Sequence, residues 1–246
     1  MNIILNGFSG RMGAAVLEVA SLGYMNASVS AGVDITPKAG DIPCYERFSD
    51  ISEKADCIID FSNHASIKAV ADYAVAASLP LVVATTGHTD EEKEIIREAS
   101  RSVPVFFAAN MSMGVALLCQ MATLAAKTLP GADIEIVETH HNRKLDAPSG
   151  TALMIANAIN TVRENAKFIF ARHGMAKREA DEIGIHAVRR GNIVGIHEVI
   201  VSTDYETITI KHEAHSRTLF AEGAIAAAAH LIGKAPGLYD MSSLIG

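Results

Sequence analysis

Five short apolar runs, each followed by a helix-compatible stretch, fill roughly the first 110 residues, and this alternation limits the fold more than any other feature of the chain. The runs lie at residues 2–6, 27–33, 56–61, 80–84 and 103–108. Parallel strands need crossovers of about a dozen or more residues, and helical segments of that size fall between these runs. The run DCIIDF, residues 56–61, is apolar nearly throughout, as a strand covered on both faces should be. Thr89 and Glu92 have the spacing of a capping box for a helix through Arg101. Ser62 is placed to cap a helix through Ala77, which puts His64 in that helix's first turn as an ordinary surface residue. The expectation is a doubly wound parallel sheet.

Ligands of such sheets bind beyond the carboxyl ends of the strands. Gly7, Gly10 and Gly13 follow the first strand directly and open a helix. Their GxxGxxG spacing differs from the usual dinucleotide fingerprint, so alone they also fit a helix packed close on a strand. Asp34 ends the second strand about 20 residues past Gly13, where an acidic side chain commonly takes the ribose hydroxyls of a dinucleotide. Lys38 is placed to meet a 2′-phosphate, so NADH and NADPH both stay open. Phe61-Ser62, Thr85-Thr86-Gly87 and residues 108–111 end the other three strands. Their agreement points to a nucleotide-binding, Rossmann-type domain.

After residue 111 the pattern changes. Residues 112–129 read as a long apolar helix crossing to a second domain, with Met111, Met113 and Met121 in packing roles. A strand, residues 134–137, leads into ETHHNRKLDAPSGTA, residues 138–152, and then a helix through Val162. Residues 168–182 are polar and basic and read as a long loop. Strands at 185–190, 194–202 and 205–214 follow closely and read as antiparallel hairpins. The second domain is therefore expected to be α+β, with a mixed, largely antiparallel sheet and helices on one face. Its other face needs cover, and self-association is the simplest cover. A helix at 216–232 and the tail 237–246 are expected to return to the first domain. The whole chain is α/β, with residues 1–111 and 217–246 binding dinucleotide and 112–216 binding substrate and forming the oligomer.

The formal charge of −7 argues against nucleic acid or an anionic membrane as the main partner. Three cysteines with no CxxC spacing argue against a disulfide framework or structural zinc, and point to reduced thiols. Met1 leads straight into a strand-like run with no secretory pattern, and no uncharged apolar run reaches the ~20 residues of a membrane span. A cytoplasmic protein is expected.

The chemistry concentrates in residues 138–152. His140 and His141 are neighbours on a strand and point to opposite faces, so they cannot share one metal, and no metal is expected. Histidine suits proton transfer near neutral pH, and Lys144 adds a cation that can bind a carboxylate or donate a proton. Asp146 is placed to orient Lys144 or a backbone amide. Pro148 holds the chain extended, and Ser149 or Thr151 starts a helix. The N–H groups of Ser149, Gly150 and Thr151 offer an anion site at its N-terminus.

These residues resemble the 4-hydroxy-tetrahydrodipicolinate reductase (dihydrodipicolinate reductase) family. The motifs that carry the resemblance are GFSGRMG (7–13), DFS (60–62), TTG (85–87), AANMSMGV (108–115), ExHHxxKxDAPSGTA (138–152), RRGNIVGIHEV (189–199), HxAxSR (212–217) and GLYDM (237–241). The resemblance covers essentially the whole chain. It implies reduction of a small cyclic dicarboxylate in the diaminopimelate branch of lysine biosynthesis, with NADH or NADPH as hydride donor, by a homotetramer. By motif match, His140 is the general acid/base and Lys144 the proton donor. His141, Ser149, Gly150 and Thr151 match substrate-binding positions. Gly7, Phe8, Ser9, Gly10, Arg11, Met12, Asp34, Ala84, Thr85, Thr86, Ala108, Ala109, Asn110 and Met111 match cofactor contacts. Ala84 stands where many members carry glycine, Met111 where many carry phenylalanine, and Ile35 where a basic residue often follows the ribose-binding acid. A semialdehyde dehydrogenase would need a cysteine nucleophile at a loop or helix start, but Cys57 lies within a strand and Cys119 within a helix. A nucleotide-sensing protein without catalysis would need neither both histidines nor Lys144.

Overall fold

The computed structural model describes residues 1–245. The chain divides into two compact units: Met1–Met113 with the residues from Arg217 on, and Gly114–Ser216.

In the first unit β1 (Asn2–Asn6) leads to α1 (Arg11–Ser21), β2 (Ser28–Val33), β3 (Cys44–Tyr45) and β4 (Cys57–Asp60). There follow α2 (Ile67–Ala77), β5 (Leu81–Val83), α3 (Asp90–Ser100) and β6 (Pro104–Phe107). The second unit holds α4 (Met113–Thr128) from its second residue on, then β7 (Asp133–His140), α5 (Gly150–Asn160), β8 (Lys167–Phe170), β9 (Glu182–Arg189), β10 (Gly195–Ser202) and β11 (Thr207–Ala214). The chain then returns to the first unit with α6 (Thr218–Leu231), β12 (Gly237–Tyr239) and α7 (Met241–Ile245).

The first sheet is parallel throughout, in the order β12-β6-β5-β4-β1-β2-β3. Strand alternation divides its side chains between two cores. Ile3, Leu5, Ile59 and Val82 pack with α1 and α6, while Ile4, Ile58, Leu81 and Val105 pack with α2 and α3. Two strands beyond the expected five complete the sheet. β3 is two residues long, too short for any periodicity to show, and β12 comes from the GLYDM tail and runs parallel to β6. Thr89 and Glu92 form the expected capping box. Ser62 does not cap the next helix. Asn63 accepts from the Ala65 N–H to start a 3-10 turn, His64–Ser66, and Ser62 turns to Asp60 instead. His64 is more than surface, since its Nδ1 lies 2.8 Å from Glu92 Oε1 and so ties this turn to the start of α3.

The second sheet has the order β11-β10-β7-β9-β8. Here β10 runs antiparallel to both its neighbours, β11 and β7, and β9 and β8 run parallel to β7. The sheet is mixed as expected, but β9 and β10 form no hairpin, because β7 lies between them. The connection 190–194 is anchored on the end of β7: Arg190 N–H donates to the His140 carbonyl, and His141 N–H donates to the Ile193 carbonyl. Residues 167–170 form edge strand β8 rather than the start of a loop. Only Phe168 and Ile169 in it are half-buried, which leaves no pattern to read. The core lies on one face, where Ile134, Ile136, Val199 and Val201 meet Leu118 and Ala122 of α4 and Ile155 and Ile159 of α5. The other face carries Glu135, whose carboxylate accepts from His186 (2.7 Å) and Arg172 (2.9 Å).

One close contact ties α6 to the strand-end loop after β6. A Cβ on Gly223 would collide with the Met111 carbonyl, a backbone atom that cannot swing away. Alanine inside a helix ordinarily stabilises it by about 0.5–1 kcal/mol over glycine. Gly223→Ala should instead destabilise the protein by about 1–3 kcal/mol through overpacking, read as a lower urea midpoint.

Candidate active site

Alternation along β7 turns Ile134, Ile136, Glu138 and His140 to the core side, with the two polar residues at the strand's carboxyl end. Glu138 is fully buried, and every hydrogen-bonding position on its carboxylate is in use. His140 Nδ1 lies 2.6 Å from Oε2, and Arg189 Nη1 donates to the same oxygen at 2.7 Å. Arg189 Nη2 donates to Oε1 at 2.8 Å, and the Ser149 N–H does so at 2.9 Å. Burial alone would raise this carboxyl's pKa, but the bonds from His140, Arg189 and Ser149 outweigh it and hold it at about 2.

His197 on β10 packs edge-on to His140, with ring centroids 5.2 Å apart, and its Nε2 lies 3.2 Å from Ser149 Oγ. Burial first, and then the neighbouring His140, push His197 down to about 4. Gly195 sits beside His140 Nε2, which would lie 3.1 Å from a Cβ there. Lys144 is held at 2.8 Å by Asp146, the orienting role expected of that aspartate. The Ala147–Pro148 peptide is cis.

Ser149 caps α5: its Oγ accepts from the Ala152 N–H at 3.2 Å. The structure therefore corrects its expected role as an anion contact. Its N–H belongs to Glu138, its hydroxyl is shared between the helix and His197, and only 2% of the residue is exposed. Gly150 is exposed with open space beside it, and Thr151 is half-buried in the same turn. His140, Lys144 and the start of α5 thus fall on one connection, with His141 half-buried beside them.

In the first unit a cavity of about 630 Å³ opens at the carboxyl ends of β1, β2 and β4. Gly7, Gly10 and Asp34 line it together with Arg47, Phe61 and Ser62. Gly7 needs its left-handed φ of 82°, and a Cβ there would lie 2.5 Å from the Phe61 carbonyl. Gly10 is the N-cap of α1 and brings no side chain to the first-turn N–H groups, which leaves them available to phosphate. Asp34 accepts from the N–H groups of Ser9 (2.9 Å) and Thr36 (3.0 Å), and Lys38 Nζ donates to the Ser9 carbonyl at 2.8 Å. This lining fits a dinucleotide: a glycine turn, a bare helix start and a carboxylate at the second strand's end.

Other expected contacts fare differently. Arg11, Thr86 and Ala109 are exposed, and Met12, Ala108 and Asn110 are partly so. Phe8 packs against the first core. Three more expected contacts have their side chains turned inward. Met111 is 2% exposed, in the same core cluster as Ala221 and Ala224, so its side chain is packing. Ala84 is buried, and the Thr85 hydroxyl points inward to Asp60 Oδ2 at 2.8 Å.

Sequence reasoning missed Asp60. Fully buried at the end of β4, it accepts from Asn6 Nδ2 (2.7 Å), Ser62 Oγ (2.5 Å) and Thr85, so one carboxylate joins the ends of β1, β4 and β5. Burial pushes its pKa up. Glu138, Arg189 and His197 were also given no role. Glu138 could have been found, since it lies two residues before His140 and period two puts both on one face. Arg189 and His197 carried no such signal, because β9 and β10 are brought to His140 only by the sheet order.

Residues 1–111 match the family model described as dihydrodipicolinate reductase, N-terminus, and residues 114–245 match the one described as dihydrodipicolinate reductase, C-terminus. The chain belongs to the dihydrodipicolinate reductase family. It is 46% identical to the 4-hydroxy-tetrahydrodipicolinate reductase of Caldanaerobacter subterraneus subsp. tengcongensis, covering 100% of this chain and 98% of that one. Identity to the protein of the same name from Clostridium novyi is 41%, over 99% of this chain and 97% of that one. Among solved structures, the dipicolinate-bound dihydrodipicolinate reductase from Paenisporosarcina sp. TG-14 superposes with a TM-score of 0.85 at 23% identity, covering 100% of this chain and 99% of that one. A probable dehydrogenase from Thermotoga maritima shares the fold more loosely, with a TM-score of 0.65 at 11% identity over 100% of this chain and 92% of that one.

His197 sets a pH dependence of stability in this family member. Its pKa falls from 6.5 to about 4 on folding, so between these values the unfolded chain binds a proton that the folded chain does not. Stability is then lost as the pH falls through that window. The loss is about 3 kcal/mol at most. Urea midpoints measured from pH 7 to 4 should decline, and His197→Gln should remove much of the decline. An unchanged slope in the variant would dismiss His197 as the cause.

Proposed function

We propose that the chain catalyses reduction of 4-hydroxy-tetrahydrodipicolinate to tetrahydrodipicolinate with NADH or NADPH, as part of diaminopimelate and lysine formation. The observation that carries this reading is the Glu138–His140 pair standing on one connection with Lys144 and the start of α5. That set of groups suits a dicarboxylate that must be held and given a proton.

In this reading Gly150, Thr151, Lys144 and His141 hold the carboxylates of the cyclic substrate. Backbone N–H groups at a helix start and a lysine ammonium are the usual partners of such groups. NADH or NADPH, when bound by the first unit, would supply the hydride that carbon 4 of the ring needs. Overall the 4-hydroxyl leaves with a proton as water and the hydride takes its place. His140 and Lys144 are the residues that hold and deliver protons: His140 through Nε2, since Nδ1 is committed to Glu138, and Lys144 through Nζ.

Gly7, Ser9, Gly10, Arg11, Met12 and Asp34 hold the cofactor, with Phe8 through its backbone, and Thr86, Ala108, Ala109 and Asn110 border it. Asp34 in the cavity supports NADH, while Lys38 and Arg47 offer positive charge for the extra phosphate of NADPH. The half-buried sheet face around Glu135, Val137 and Ile200 supports self-association as a homotetramer. No helix among the described residues is long and apolar enough to cross a membrane, and the reading places the enzyme in the cytoplasm with its three cysteines free.

Turnover with the substrate and NADH, followed at the nicotinamide absorbance, tests the reading directly. Lys144→Ala should lower kcat by at least ~100-fold, the usual scale for losing an acid–base group, and near-normal turnover would remove its role. Asp34→Ala should weaken NADH binding by at least ~10-fold in calorimetry, because hydrogen bonds to a charged group contribute about 1.5–3 kcal/mol. NADPH binding should suffer less.

A further inference from the structure

Resting on the reading above, we infer that Glu138, locked by Arg189, is a positioning residue that fixes the tautomer of His140 and ties that ring to the start of α5. A carboxylate only accepts hydrogen bonds, so the 2.6 Å contact puts a proton on His140 Nδ1. Nε2 is then the nitrogen left to exchange protons. A histidine held this way cannot switch tautomers without leaving a buried carboxylate short of a donor.

The same carboxylate accepts the Ser149 N–H at 2.9 Å. The proton-transfer ring and the proposed anion-binding turn therefore share one anchor. Arg189 completes it with two bonds to the carboxylate, and its Nη2 also donates to the Asp146 carbonyl at 2.7 Å, beside the Lys144 loop. Its planar fork keeps the carboxylate from rotating, which a lysine could not do.

Charged and titratable groups surround the His140 ring from several elements: Glu138 on its own strand, Arg189 on β9, and Lys144 in the loop, itself paired with Asp146. His197 on β10 faces the ring, and behind it on β11 stands His212. Of these, only Glu138 bonds to Nδ1, and Arg189 holds that carboxylate in place.

The test uses the full-length protein. In the unsubstituted protein, ring ¹⁵N shifts should show His140 protonated on Nδ1, and the opposite tautomer would overturn the inference. Glu138→Gln should lower kcat at least ~10-fold and release the Nδ1 proton preference in the ring ¹⁵N shifts, with NADH affinity unchanged. Arg189→Met should release that preference in part. Glu138 lies in the core, so if Glu138→Gln does not fold, the tautomer of the unsubstituted protein and the ring shifts of Arg189→Met decide. Folded variants whose ring shifts match the parent overturn the inference and leave the proposed reaction standing. An active His140→Gln variant would instead remove the proposed reaction's acid–base residue.

Discussion

A carboxylate removed from water must be matched by donors on every side, and Glu138 imposes that requirement on the second unit. Its donors come from β7 itself, from the N-cap of α5 11 residues on and from β9 51 residues on, so these three segments must meet at one point. Breaking such a buried pair by removing one partner costs about 3–5 kcal/mol, so the local geometry is strongly enforced. The strand order follows the same logic. With the 190–194 connection anchored on the end of β7, Arg189 arrives on one side of His140 and Gly195 and His197 on the other. The burial that pushes His197 down to about 4 keeps that ring neutral near pH 7, so it adds no positive charge beside His140.

The first unit uses the same device in a different place. Asp60 is buried at the carboxyl edge of the parallel sheet, and its partners Asn6, Ser62 and Thr85 end or follow three adjacent strands. Two of these, Asn6 and Ser62, also line the cavity. The glycine turn, the loop after β4 and the loop after β5 are thus held by one group that itself faces away from solvent. This explains why Thr85, expected to face a cofactor, turns inward: its hydroxyl is a donor that Asp60 requires. Each unit places a fully satisfied carboxylate beneath the surface where a ligand would sit.

Much of the fold was legible because burial leaves a period in the sequence. The runs at 2–6 and 56–61 became β1 and β4 within a residue at each end, and Thr89 with Glu92 announced α3. Elements too short to carry a period were not legible, such as β3 and β8. Proximity misled at β9 and β10: close in sequence, they looked like a hairpin, but β7 has the apolar face that fills the middle of the sheet. In the site, His140, Lys144 and the turn before α5 could be found because they lie within one stretch. Ser149 was read as an anion contact because its N–H is an orphan of the helix start, and no local pattern shows that Glu138 has taken it.

The sequence by itself determined the parallel sheet, the family and the stretch that carries the proposed chemistry, since hydrophobic period and contiguous motifs are local properties of a chain. The tertiary structure alone decided which groups complete each site. Arg189 and His197 meet Glu138 and His140 only through strand order, and Asn6 and Thr85 meet Asp60 only through adjacent strand ends. The demand that buried charge be fully hydrogen-bonded is met across the sheet, at separations no linear pattern encodes.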